Sequence, residues 1–117
     1  IGSVTVITSA KGTVRANHWH REDGHTCYVA KGRMQYFERP IGDRNPPMCL
    51  LVLDGEQIFT PPGVEHAMRF VEDTILVCVA NAHRSQAEYE NDVVRTERDL
   101  PSEYDEAYPK KKGFLSE

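Results

Sequence analysis

From Val4 to Ala80 the chain repeats one pattern, a short run rich in β-branched, aromatic and other apolar residues followed by a few polar or turn-forming ones. The runs VTVIT, GTVRANHWH, HTCYVA, RMQYFE, MCLLVLD, EQIFT, AMRFV and TILVCVA follow one another at the spacing of strands in a sandwich or barrel. Asp54-Gly55, between two apolar runs, is the strongest hairpin signal, because a tight I′ turn needs positive φ at both central residues. REDG, KG and VED mark further reversals. PIGDRNPP reads as a longer loop, where prolines remove ladder donors. Eight such runs before residue 81 predict an all-β, antiparallel fold in which two sheets face each other or one sheet closes on itself. From His83 onward the pattern turns polar and charged. Ser85-x-x-Glu88 reads as a capping box ahead of Tyr89, Val93 and Val94, predicting one short helix. The final PSEYDEAYPKKKGFLSE has no sustained period and is expected to order only where something holds it. Residues 1–82 are thus expected to form the barrel core, and residues 83–117 a polar extension packing on it or extending from it.

One stretch interrupts the apolar rhythm with chemistry. Residues 17–25 read NHWHREDGH, three imidazoles close together. Alternate side chains on a strand share a face, so His18 and His20 project together and Trp19 projects to the other side. REDG then reverses the chain, and His25 opens the next strand, where it can face the same interior. Two readings stand side by side: a solvated histidine-rich turn, or a set of nitrogen donors suited to Zn, Cu, Fe or Ni. GEQIFTPPGVEH, far downstream, places His66 beside a turn between two strand runs, from which it can reach the same interior. That fourth imidazole favours the metal.

Composition narrows the partners. A length of 117 residues supports one core and not two, and 27% charged with 39% hydrophobic residues is ordinary globular composition. The net charge of -4 leaves no broad basic surface for nucleic acid, the one basic run being Lys110, Lys111 and Lys112. No apolar stretch approaches a membrane span, and the opening IGSVTVITSA lacks the pattern of a signal peptide, so no membrane partner is expected. Cys27, Cys49 and Cys78 are odd in number, widely spaced and set in apolar runs. They read as reduced core thiols of a cytoplasmic protein, neither a disulfide framework nor a thiolate metal site.

The spacing Gly12, five residues, His18-x-His20, four residues, His25, six residues, Gly32 resembles the first cupin motif, G(x)5HxH(x)3-4E(x)6G. The spacing Gly55, five residues, Pro61-x-Gly63, two residues, His66 resembles the second, G(x)5PxG(x)2H(x)3N. Two positions depart from the pattern: His25 stands where the family has Glu, and Phe70 where it has Asn. The resemblance implies an antiparallel double-stranded β-helix, or jelly-roll barrel, and a homodimer. It also implies that His18, His20, His25 and His66 ligate a divalent transition metal (Zn, Fe, Ni, Mn or Cu). Exchanging a carboxylate for imidazole removes a negative charge beside the ion, which should make bound water more acidic and draw anionic substrates.

Alternation along the strands puts Val14 and Ala16 on the face of His18 and His20, Cys27 and Val29 on that of His25, and Met68 and Phe70 on that of His66. The expected pocket is mainly apolar, with the metal as its main polar feature, and Phe70 and Met68 are expected to be ordinary core. Trp19 needs cover from a dimer partner, the N-terminal run or the chain's own tail. No catalytic acid or base can be named: Glu22, Asp23 and Glu65 fall in turns where solvation is the default, Tyr28, Tyr36, Arg33 and Gln35 are possible pocket groups, the last three of unanchored parity, and His83 is expected at the surface. The leading expectation is a metal-dependent enzyme of isomerase, epimerase, lyase or dioxygenase type on a small anionic or carbonyl-bearing substrate. The stretch NHWH also resembles small cupin domains attached to nucleotide-sugar pathways, which implies a sugar-related ligand. The alternative is a non-catalytic small-molecule or sugar-binding module with a structural metal.

Overall fold

The structure, a computed structural model, describes residues 2–81 and 86–108. Each of the eight apolar runs forms a strand: β1 (Ser3–Ser9), β2 (Val14–His20), β3 (His25–Lys31), β4 (Arg33–Pro40), β5 (Met48–Leu53), β6 (Gln57–Thr60), β7 (Val64–Phe70) and β8 (Thr74–Ala80). They are followed by α1 (Gln86–Asp92), β9 (Val93–Arg95) and α2 (Leu100–Glu103). Every pairing is antiparallel, in a four-stranded sheet ordered β1-β8-β3-β6 and a five-stranded sheet ordered β5-β4-β7-β2-β9. That interleaved order, with β9 added at one edge, is a double-sheet jelly roll.

The strands form because Val, Ile, Thr and aromatic residues suit a pleated surface with one face buried. Val29, Met34, Tyr36, Val52, Met68, Phe70 and Leu76 meet between the sheets as the main core. A second cluster lies on the outer face of the five-stranded sheet, where Leu100 of α2 covers Phe37 and Ala67. The polar extension is thereby anchored: Leu100 is fully buried, and Asp99 caps α2 by accepting from the Ser102 amide at 3.1 Å.

Three sequence expectations need correction. Asp54-Gly55 makes a tight turn, with Gly55 at φ 81°, but no hairpin, because β5 and β6 belong to different sheets. The turn's polar groups bond elsewhere: the Gly55 amide donates to Val29 O at 2.8 Å, and the Asp54 carboxylate accepts from the Gly32 amide at 2.6 Å. Val93 and Val94 are not helical but form β9 against Trp19 and His20, where cross-strand pairing outweighs helix propensity. Strict alternation along β2 also fails. A bulge between Ala16 and His18 places both Ala16 (φ 72°) and Asn17 (φ 57°) in the left-handed region. Asn tolerates that conformation, and Asn17 is held there by α2: its side-chain NH2 donates to Asp99 at 2.7 Å and its oxygen accepts from the Leu100 amide at 2.9 Å. Ser85 of the expected capping box, and His83, lie outside the described residues.

Candidate functional site

The bulge sets the phase of β2 so that His18 lies opposite His66 of β7 on one side and Arg95 of β9 on the other. His20, two residues on, returns to the same face. One donor atom from each of His18, His20 and His66 lies within 4.8 Å of the others. The ring centroids of His18 lie 4.9 Å from His20 and 4.8 Å from His66, both nearly perpendicular. His25, opening β3 on the facing sheet, stacks on His20 at 4.3 Å. Four imidazoles from three strands therefore share one space, with three of them placed as a donor triad.

The second ring nitrogens are tied down. His20 Nδ1 donates to the Asp92 carboxylate at 2.9 Å, and His66 Nδ1 donates to Val64 O at 3.2 Å. In each ring Nε2 then carries the lone pair, the arrangement that metal-ligating histidines use to fix tautomer and orientation. His25 Nε2 lies 3.3 Å from the Asp23 carboxylate. Burial, reinforced by the neighbouring imidazoles, lowers the pKa of His18 to about 3. Burial lowers that of His25 to about 4, with Asp92 opposing, and that of His66 to about 4, with the Val64 carbonyl opposing. All three rings are neutral at pH 7, the form a metal requires. The donor set fits a transition metal.

The histidines open on a cavity of about 650 Å³ between the sheets. Val14, Ala16, Cys27, Met68 and Tyr36 line it. Phe70 is buried in the core. Apolar groups make up the larger part of the lining, but Arg15, Arg95, Thr5 and Thr60 also line the wall, so the histidines are not its only polar feature. Arg15 comes in because the bulge breaks the strand's alternation and puts it opposite Met68. Tyr36 hydrogen-bonds Thr60 and donates to Glu38 at 3.0 Å. Burial and the Glu38 charge push its phenol well above the usual range.

The turn carboxylates separate. Glu22 is exposed, as expected, and Glu65 pairs with Arg39 at 3.0 Å. Asp23 is not solvated: it is buried beside His25 and accepts from the Asn81 amide at 3.1 Å. Tyr28 is exposed, Arg33 pairs with Glu72, and Gln35 accepts from Arg69, so none of the three joins the cavity wall. Trp19 is half-buried next to Val94 of β9, with the Arg21 guanidinium 5.8 Å from its ring. Asp92 and Arg95 were missed by sequence reasoning, because both lie in a segment whose pattern reads only as polar.

No family model matches the chain, and no curated protein matches it. Solved structures do. The capsular polysaccharide assembling protein CapF from Staphylococcus aureus superposes with a TM-score of 0.73 at 22% identity, over 83% of this chain and 29% of that one. QdtA, a sugar 3,4-ketoisomerase from Thermoanaerobacterium thermosaccharolyticum, gives 0.69 at 18% identity over 83% and 68% of the two chains. The dTDP-4-dehydrorhamnose 3,5-epimerase from Sulfolobus tokodaii gives 0.58 at 21% identity over 74% and 54%. The chain thus spans less than a third of CapF. These likenesses establish the fold, which is that of the cupins.

Proposed function

We propose that the chain is a transition-metal-binding cupin of isomerase or epimerase type, acting on a small, anionic, carbonyl-bearing sugar derivative. The convergence of His18, His20 and His66, with His25 stacked on His20, in a cavity also lined by Arg15 and Arg95 carries this reading. His18, His20 and His66 would hold the ion, with His25 standing beside them, and a position left open to substrate is what distinguishes this reading from a closed site. The donors admit Zn, Fe, Ni, Mn or Cu. When bound, the ion supplies Lewis acidity toward a carbonyl oxygen.

The chain's own groups supply the rest. Arg15 and Arg95 attract and orient an anionic group such as a diphosphate. Tyr36, protonated and in the same wall, hydrogen-bonds Thr60 and Glu38 and so fixes a polar patch of the cavity against which a substrate oxygen can be positioned. Likeness to QdtA, solved with TDP and with TDP-4-keto-6-deoxyglucose, supports a nucleotide-linked keto sugar as the substrate class. The reading includes a homodimer, supported by the exposed apolar side chains of Val4, Val6, Tyr28 and Phe59 on the four-stranded sheet, and a cytoplasmic setting.

The second reading is a binding module with a structural metal. Stacking of His25 on His20 favours it, because a fourth imidazole closes a tetrahedral shell. One set of measurements separates the two. Protein purified without an affinity tag should contain about one transition-metal ion per chain and lose it in His66→Ala. With TDP-4-keto-6-deoxyglucose in D2O, the enzyme reading predicts deuterium entering next to the carbonyl, followed by proton NMR. Metal without exchange, and a spectrum of the cobalt-substituted protein that azide leaves unchanged, would establish the closed module. Absence of metal would overturn both.

A further inference from the structure

Two of the three cysteines, far apart in sequence, meet on the cavity wall. Cys27 of β3 and Cys78 of β8 are direct partners in the antiparallel ladder, and their sulfurs are 3.0 Å apart. Directly opposed residues in such a ladder have Cα atoms about 4.5–5.5 Å apart, inside the range that a disulfide spans. The sulfurs need only close to a bond of about 2.05 Å, which small side-chain rotations accomplish. Both residues line the cavity, so a small solute can reach them. Cys49 is excluded from the pair, since it packs with the Phe37–Leu100 cluster on the other face of the five-stranded sheet.

We propose that Cys27 and Cys78 form a dithiol–disulfide couple in the cavity wall, oxidised by small hydroperoxides. Cys27 belongs to the main core and Cys78 packs against it, at the point where that core meets the cavity. The two thiols hydrogen-bond each other, and Arg15 lines the same wall. Cys78 is the less buried of the two and is the sulfur a peroxide meets first. Its thiolate bonds to one peroxide oxygen as the O–O bond breaks, giving a sulfenic acid and, after protonation of the departing oxygen, water from hydrogen peroxide or the alcohol from an alkyl hydroperoxide. Cys27 then attacks the Cys78 sulfur: the S–S bond forms, the S–O bond breaks, and the hydroxide leaves as water with the Cys27 proton. The two sulfurs give up two electrons and the peroxide takes them. The product ties the strand that carries His25 to its neighbour. None of this depends on how the histidine cluster is used.

The test is titration of the purified full chain with hydrogen peroxide. Thiols counted after denaturation should fall from three to one, and the intact mass should drop by about 2 Da. Tryptic peptides 22–31 and 70–84 should appear joined, and dithiothreitol should separate them. Cys49→Ser should form the same link, while Cys27→Ser should instead leave a Cys78 sulfenic acid that dimedone traps. Cys49 should react at least about tenfold more slowly than the pair. Three intact thiols after peroxide, oxygen added without the 2 Da loss, or a link through Cys49 would overturn the proposal.

Discussion

Asp92 does for His20 what the Val64 carbonyl does for His66: it accepts the Nδ1 proton and leaves the opposite nitrogen as the donor. Asp92→Asn should keep the fold and weaken metal affinity about 10–100-fold, read by competition with a chromophoric chelator. The imidazole pKa values fix a pH dependence. Three bases whose folded values lie near 3 to 4, against 6.5 unfolded, bind fewer protons in the folded state, so acid favours unfolding. The metal-stripped protein should keep its full Tm above pH 6.5 and lose stability progressively toward pH 4, as calorimetry at fixed ionic strength can follow. A Tm that is flat across this window would show the rings to be less buried than they are here. At the substrate side of the cavity, Arg15→Gln with Arg95→Gln should weaken TDP binding at least about tenfold in titration calorimetry without changing metal content. Of these residues, the histidines were legible because strand alternation and motif spacing both marked them. Asp92, Arg95 and the burial of Asp23 were not, since each depends on where distant segments come to rest.

Strand-forming runs were easy to read because a half-buried sheet demands the same β-branched, period-two pattern wherever it occurs, and all eight became strands. Their partners were harder. Asp54-Gly55 has hairpin chemistry, yet its amide and carboxylate serve β3 and the following turn. Val93 and Val94 pair with Trp19 and His20 because a free sheet edge captured them. The bulge at Ala16–Asn17 left no sequence signal beyond the Asn itself, and it decides which side chains of β2 face inward. Helix α2 explains that bulge, since Asn17 bonds both Asp99 and the Leu100 amide. Leu100→Ala, at a fully buried site against Phe37 and Ala67, should cost about 2–5 kcal/mol in chemical denaturation. Gly32→Ala should also destabilise: at φ 110° its Cβ would sit 2.5 Å from the Thr74 hydroxyl and 2.7 Å from the Asp73 carbonyl.

Taken whole, the molecule is a jelly roll whose site draws on both sheets and on the segment beyond the eighth strand. Removing metal should lower Tm and adding it back should restore it, because an ion that binds only the folded triad stabilises by mass action, about 4 kcal/mol at a thousandfold excess over Kd. A chelator that leaves Tm unchanged would remove the ion from the account of stability. Synthesis runs from the N-terminus, so all four imidazoles leave the ribosome before the carboxylate at position 92, and before the strand and helix that clasp the bulge. A nascent chain halted near residue 82 would therefore hold the donors without their clamp. Loading of the proposed metal would then be a late event, timed by the last segment to arrive.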